Sequence, residues 1–117
     1  MSDSNHTKKL ISEWYKEKAT RVFQERFEEV MENFEYKNMP KLELLDMKRR
    51  WGSFVNKDKI ILNPKLIHVP KDCIDYVITH ELCHVKYKNH DKKFLQFLDE
   101  KYPKWEKVKD KLEMYAV

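Results

Sequence analysis

The chain has 117 residues, 41% of them hydrophobic and 38% charged, with a formal net charge of +4. That length suits one small domain with a modest core, and no apolar run approaches the roughly 20 residues that cross a bilayer. Lysines and glutamates are interleaved, which describes a solvated surface better than a nucleic-acid footprint, and the polar start Met1–Lys9 has no apolar stretch of the export type, so cytoplasmic residence is expected.

From about Thr7 to Phe34 apolar residues recur at helical spacing, through Leu10, Ile11, Tyr15, Ala19, Val22, Phe23, Phe27, Val30, Met31 and Phe34. The pattern predicts a long amphipathic helix, which Asn38 and Pro40 end. Three extended segments follow, Leu42 to Lys48, Trp51 to Asn56 and Lys59 to Leu62, and predict a small antiparallel sheet. The polar Asn56-Lys57-Asp58 suits the loop of a hairpin. After turns at Asn63-Pro64 and Val69-Pro70, a second helix is predicted from Lys71 to Lys86 or Tyr87, with Asp72 favouring its positive end. Asp91 suits the N-cap of a further helix through Glu100, and Pro103 opens a last one. The order of helix, small sheet and helices is α+β, with residues 1–117 forming one domain. Cys73 and Cys83 fall on the second helix, roughly 15 Å apart along its axis, and so read as free thiols in a reducing compartment.

The chemistry concentrates in His80-Glu81-Leu82-Cys83-His84. Residues four apart on a helix differ in direction by about 40°, so the two imidazoles project from one side and can hold a single cation. Glu81 points about 100° further round. It flanks the cation instead of ligating it, which suits a general base for a water molecule that Zn²⁺ has made acidic. Ile74, Val77, Ile78, Leu82 and Val85 predict a largely buried helix, and burying two histidines and a glutamate there is costly without a partner such as a metal. A catalytic zinc takes three protein ligands and keeps a fourth position open. His90 is a candidate third ligand if the chain turns back after the helix, with Asn89 in the left-handed conformation and Asp91 capping the next helix. Glu100 and Glu106 are the alternatives. The spacing equals that of metzincins, but Tyr87 stands at their glycine position and no Met-turn is evident.

Other residues carry weaker expectations. Trp51-Gly52-Ser53 can form a strand beside the cleft that pairs with an extended substrate, or Trp51 can be core and Gly52 a bulge. Arg50 can meet a substrate carboxylate or an oxyanion, or form a surface ion pair. Asp75 and Asp91 can orient a ligand histidine. Cys83 lies near the metal side but suits a buried packing thiol, and His6 and His68 carry no expected role.

Taken in order, Lys48-Arg49-Arg50-Trp51-Gly52-Ser53, Ile60-Ile61-Leu62-Asn63, Ile74-Asp75-Tyr76-Val77-Ile78-Thr79-His80-Glu81-Leu82-Cys83-His84, Asn89-His90 and Phe94 resemble the YgjP-like metallopeptidases, whose site layout is similar to that of SprT-like proteases. The resemblance spans about Ile11 to the C-terminus. It implies a zincin-like fold, Zn²⁺ on His80, His84 and His90, Glu81 as the base, and a peptide or protein substrate. Phe54 stands where the family usually has cysteine, and Leu95 where a tryptophan is frequent. Typical members also carry an N-terminal β-rich region, expected to be absent here. Two other functions are compatible with the sequence: a non-catalytic, zinc-stabilised interaction module, and a DNA-associated protease using Lys48-Arg49-Arg50 with Trp51.

Overall fold

The computed structural model describes residues 2–115, with side chains over 13–115; His6, Leu10 and Ile11 lie outside the described side chains. In chain order the elements are α1 (Ser2–Met31), β1 (Lys41–Leu44), β2 (Gly52–Val55), β3 (Lys59–Leu62), a 3-10 turn (Pro64–His68), α2 (Lys71–Lys86), α3 (Lys92–Lys101) and α4 (Trp105–Glu113). No helix among the described residues is long and apolar enough to cross a membrane.

Helix α1 buries Ala19, Phe23, Phe27 and Val30, spaced by three and four residues, while Tyr15 of the expected stripe is exposed. The helix stops at Met31, short of Phe34. Glu32, Asn33 and Phe34 donate to carbonyls three residues back, a tighter winding that uses up the last helical carbonyls and still buries Phe34. The buried stripe packs against α2, which contributes Cys73, Ile74, Val77, Ile78, Leu82 and Cys83 to the same core. One ion pair fixes that contact. Arg26 Nε and Nη2 donate to Asp75 Oδ1 and Oδ2 at 2.7 and 2.8 Å, with side-chain exposures of 13% and 17%. Asp75 therefore serves the α1–α2 contact and does not orient a histidine. It lies five residues before His80, about 140° round the helix from it.

The sheet has the order β1-β3-β2 and is mixed, which corrects the antiparallel expectation. The β2–β3 hairpin is antiparallel, but β1 runs parallel to β3 with Lys41 opposite Lys59. The reason is the segment between β1 and β2. The expected strand through Lys48 ends at Leu44 because the buried Asn63 side chain draws the backbone into a loop. Its Nδ2 donates to Met47 O at 2.8 Å and to Arg50 O at 3.0 Å. The loop carries the chain past β1, and β3 then fills the central position, with Ile60 and Leu62 fully buried. Asn56 and Lys57 both take positive φ, 55° and 64°, the backbone of a tight hairpin turn whose twist matches its strands.

Strand β2 lies directly against α2. A Cβ added at Gly52 would stand 2.8 Å from Val77 Cγ1 and 3.3 Å from Glu81 Cγ. Close approach, not a bulge, is therefore what requires glycine there. Helices α3 and α4 close the other side of α2, burying Phe94, Leu98, Val108 and Leu112. The Tyr102 hydroxyl donates to Asp72 O at 3.0 Å, and Lys111 pairs with the Asp72 carboxylate.

Two outcomes follow for stability. Arg26→Ala leaves the largely buried Asp75 carboxylate without its partner and should cost about 2–4 kcal/mol in denaturant melts, whereas Asp75→Ala should cost less because Arg26 keeps its ion pair with Glu29. The double variant should cost clearly less than the sum of the two. Gly52→Ala should cost about 1–3 kcal/mol through overpacking, and adding Val77→Ala should recover part of that loss; additive costs would place the strain elsewhere.

Candidate metal centre

The last two turns of α2 carry His80, Glu81 and His84. Apolar residues hold this helix in the core, so its remaining face presents His80 and His84 toward the surface while Glu81 stays buried at 7% exposure. Helix α2 ends at Tyr87, which is extended at φ −123° and ψ 115°. Asn89 is not left-handed, because Asn56 and Lys57 are the non-glycine residues of positive φ among those described. The extended Tyr87 has a direct consequence: its carbonyl lies 3.1 Å from His84 Nδ1. A proton on Nδ1 donated to that carbonyl leaves Nε2 with its lone pair free.

The chain then turns back within three residues. Asp91 caps α3, its Oδ1 accepting from Phe94 N–H at 3.1 Å, and so has a structural task instead of the histidine-orienting one expected of it. The turn brings His90 Nε2 to 2.9 Å from His84 Nε2. One ligand atom from each of His80, His84 and His90 lies within 4.8 Å of the others. Glu100 and Glu106, the alternative third ligands, are exposed and do not join this group.

These imidazoles fit a metal of the zinc type. Two nitrogens bound at 2.0–2.1 Å in tetrahedral geometry stand about 3.3 Å apart, close to the His84–His90 separation. Burial, with the neighbouring His80 and His84 charges, lowers the pKa of His90 and favours its neutral, ligating form, although the residue is the exposed member of the three. Phe94 supports all three rings, with centroids 5.2, 4.6 and 4.9 Å from His80, His84 and His90. It is 1% exposed and gives the donor set an apolar seat.

Glu81 is the nearest acid to this group. Its Oε2 lies 3.2 Å from His80 Nδ1. The same carboxylate faces β2, with Oε2 3.3 Å from the point where a Gly52 Cβ would stand. Glu81 and His80 line a cavity of about 240 Å³ together with Arg50, Trp51 and Gly52. Ser53 does not line it. Trp51 both borders this cavity and packs against the core. Tyr76, Val77, Lys109, Leu112 and Glu113 complete the wall; the sequence assigns no site role to any of them, Tyr76 and Val77 entering only within the motif and the apolar pattern of the helix. Tyr76 sits one turn before His80, so helical spacing could have found it. Its hydroxyl is pushed up to about 12, chiefly by burial and then by the Glu81 charge, and it stays a neutral hydrogen-bond donor. The α4 residues had no local signal.

Beyond the group, Cys83 is fully buried and its thiol is pushed up to about 12 by burial, so it is a packing residue. His68 is exposed and packs edge-on against Tyr15, apart from the three histidines.

The edge of β2 has a defined hydrogen-bonding phase. Asn63 N–H donates to Trp51 O at 2.9 Å, and these residues stand opposite each other in the register that pairs Gly52 with Leu62. Antiparallel pairs alternate, so Ser53 and Val55 direct their N–H and C=O toward β3. Gly52 and Phe54 direct theirs away from the sheet.

Two solved structures share the fold. The metallopeptidase zymogen of Pyrococcus abyssi abylysin matches with a TM-score of 0.70 at 18% identity, covering 79% of this chain and 92% of that one. The metallopeptidase zymogen of Methanocaldococcus jannaschii jannalysin matches with a TM-score of 0.69 at 23% identity, covering 79% and 94%. No curated protein matches the sequence. The profile of the YgjP-like metallopeptidase domain matches residues 1–115, nearly the whole chain. With an α+β fold built around a histidine-bearing helix, the chain belongs to the YgjP-like metallopeptidase domain family.

Proposed function

We propose that the protein is a zinc-dependent peptidase in which His80, His84 and His90 hold the metal and Glu81 is the general base. The observation that carries this reading is the convergence of three imidazole nitrogens within 4.8 Å beside a carboxylate that is only 7% exposed. When bound, zinc would polarise the scissile carbonyl and lower the pKa of a water molecule at the site. Glu81 takes a proton from the attacking water and returns it to the leaving nitrogen. Its place against Gly52 keeps the carboxylate under the face of β2, the strand along whose free edge an extended peptide would lie. Gly52 and Phe54 offer that peptide their outward N–H and C=O groups. Arg50 and Trp51 border the same cavity and would contact the substrate's side chains. Residues 1–117 act in this proposal as one domain. Two free, buried thiols support a reducing, cytoplasmic setting.

Glu81→Gln should retain zinc, by elemental analysis, while hydrolysis of a casein or peptide substrate falls at least about a hundredfold. Unimpaired turnover in that variant would remove Glu81 from the role of base. His90→Ala should lower zinc content sharply, and a chelator should abolish activity of the wild-type chain with zinc restoring it; full zinc occupancy without His90 would reassign the third ligand.

A further inference from the structure

The free edge of β2 ends in two cavities of different chemistry. At Gly52 lies the cavity beside His80 and Glu81, whose wall is largely apolar through Trp51, Tyr76, Val77 and Leu112. Its charged neighbours, Arg50, Lys109 and Glu113, are of mixed sign. At the other end, Phe54 and Asn56 border a second cavity of about 430 Å³ that also reaches His84. Lys57, Lys86 and Lys88 line it, and no carboxylate does. None of these three lysines takes part in a salt bridge among the described residues; Lys86 instead lies over the Phe97 ring, 5.0 Å from its centroid. The histidine group stands between the two cavities, since His80 borders one and His84 the other.

Strand direction orders the two cavities along a bound peptide. Antiparallel alignment lets two peptide residues, two apart, satisfy all four outward groups of Gly52 and Phe54. A parallel peptide needs three residues spread over five positions and slanted bonds to reach the same four, so the antiparallel arrangement is the more economical on so short an edge. An antiparallel peptide runs from the Phe54 end toward the Gly52 end. Its N-terminal part then lies by the lysines and its C-terminal part by the apolar cavity.

We infer that the cleft selects peptides with an acidic side chain on the N-terminal side of the scissile bond and a large apolar or aromatic side chain on its C-terminal side. The inference rests on the peptidase reading above and adds the substrate class. Lys57 and Lys88 supply the charge selection, as exposed cations at the cavity with no competing acid in its wall. Tyr76, Val77 and Leu112 supply the apolar selection.

The test uses zinc-loaded protein and a set of fluorescent peptides. Glutamate, glutamine or lysine is placed upstream of a common centre, and phenylalanine, leucine or aspartate downstream. The expected order of kcat/KM is glutamate over glutamine over lysine upstream, with glutamate and lysine differing by about tenfold or more at low salt. Added salt should compress the difference. The Lys57→Glu, Lys88→Glu double variant should reverse the glutamate-to-lysine ratio, with its melting curve reporting that it is folded. Cleavage that ignores the upstream charge, or a ratio unmoved by the double variant, overturns the inference and leaves the peptidase reading standing. Binding of the same peptides to zinc-loaded Glu81→Gln, followed by fluorescence anisotropy, decides the matter independently of turnover. With no hydrolysis in the wild type, the peptidase reading falls. Anisotropy that still ranks glutamate over lysine upholds the charge selection, and equal binding overturns it.

Discussion

The fold turns on how closely a strand can approach a helix. Gly52 rests on α2 at a point where even a methyl group would stand 2.8 Å from Val77. That approach sets the height of β2 above the helix, and with it the distance between the strand's free edge and the Glu81 carboxylate. Everything around it holds the arrangement. Asn63 ties the preceding loop at Met47 and Arg50, and its backbone extends the β2–β3 pairing to Trp51. On the far side, the Arg26–Asp75 pair and the buried stripe of α1 press α2 toward the sheet. A peptide laid on β2 in the proposed reaction would meet Glu81 because these contacts leave no room for the strand to sit higher.

The histidine group has a different physical origin. His80 and His84 are aligned by helical geometry alone. His90 arrives because α2 ends on an extended residue, Tyr87, and α3 begins on the Asp91 cap directly after a three-residue turn. The carbonyl freed at Tyr87 is the same one that meets His84 Nδ1. Ending the helix and orienting an imidazole are thus one event. Phe94, held at the start of α3 by the same cap, fills the space beneath the three rings. A small apolar seat of this kind keeps water away from the back of the donor set while its front opens on the cleft.

The sequence made much of this legible, and the places where it misled have specific causes. The α+β order, the hairpin at Asn56-Lys57-Asp58 and the bounds of α2 follow from local patterns, and the structure reproduces them. The same patterns extended α1 to Phe34 and β1 to Lys48. At α1 the last turn tightened locally, with N–H groups donating to carbonyls three residues back, and at β1 a distant partner, the Asn63 amide, redirected the backbone. Asp75 and Asp91 were plausible partners for histidine by composition, yet an arginine on α1 and a helix N-terminus claimed them first. The parallel pairing of β1 was invisible, since three short strands in a row carry no record of which lies in the middle.

Helical periodicity and the identity of two histidines and a glutamate were therefore enough to place these three side chains together, because spacing within one helix is fixed by its backbone hydrogen bonds. The sequence also determined that Gly52 was the one position free of a side chain. Only the tertiary structure decided what that freedom was for. The walls of the cleft come from α4 and from the loop before β2, tens of residues away on either side of Glu81, and nothing local dictates that they meet. The hydrogen-bonding phase of β2, which turns Gly52 and Phe54 outward, is set by its register with β3. Register and packing are long-range choices made by burial of the whole core, and they converted a motif on one helix into a cleft with two distinct ends.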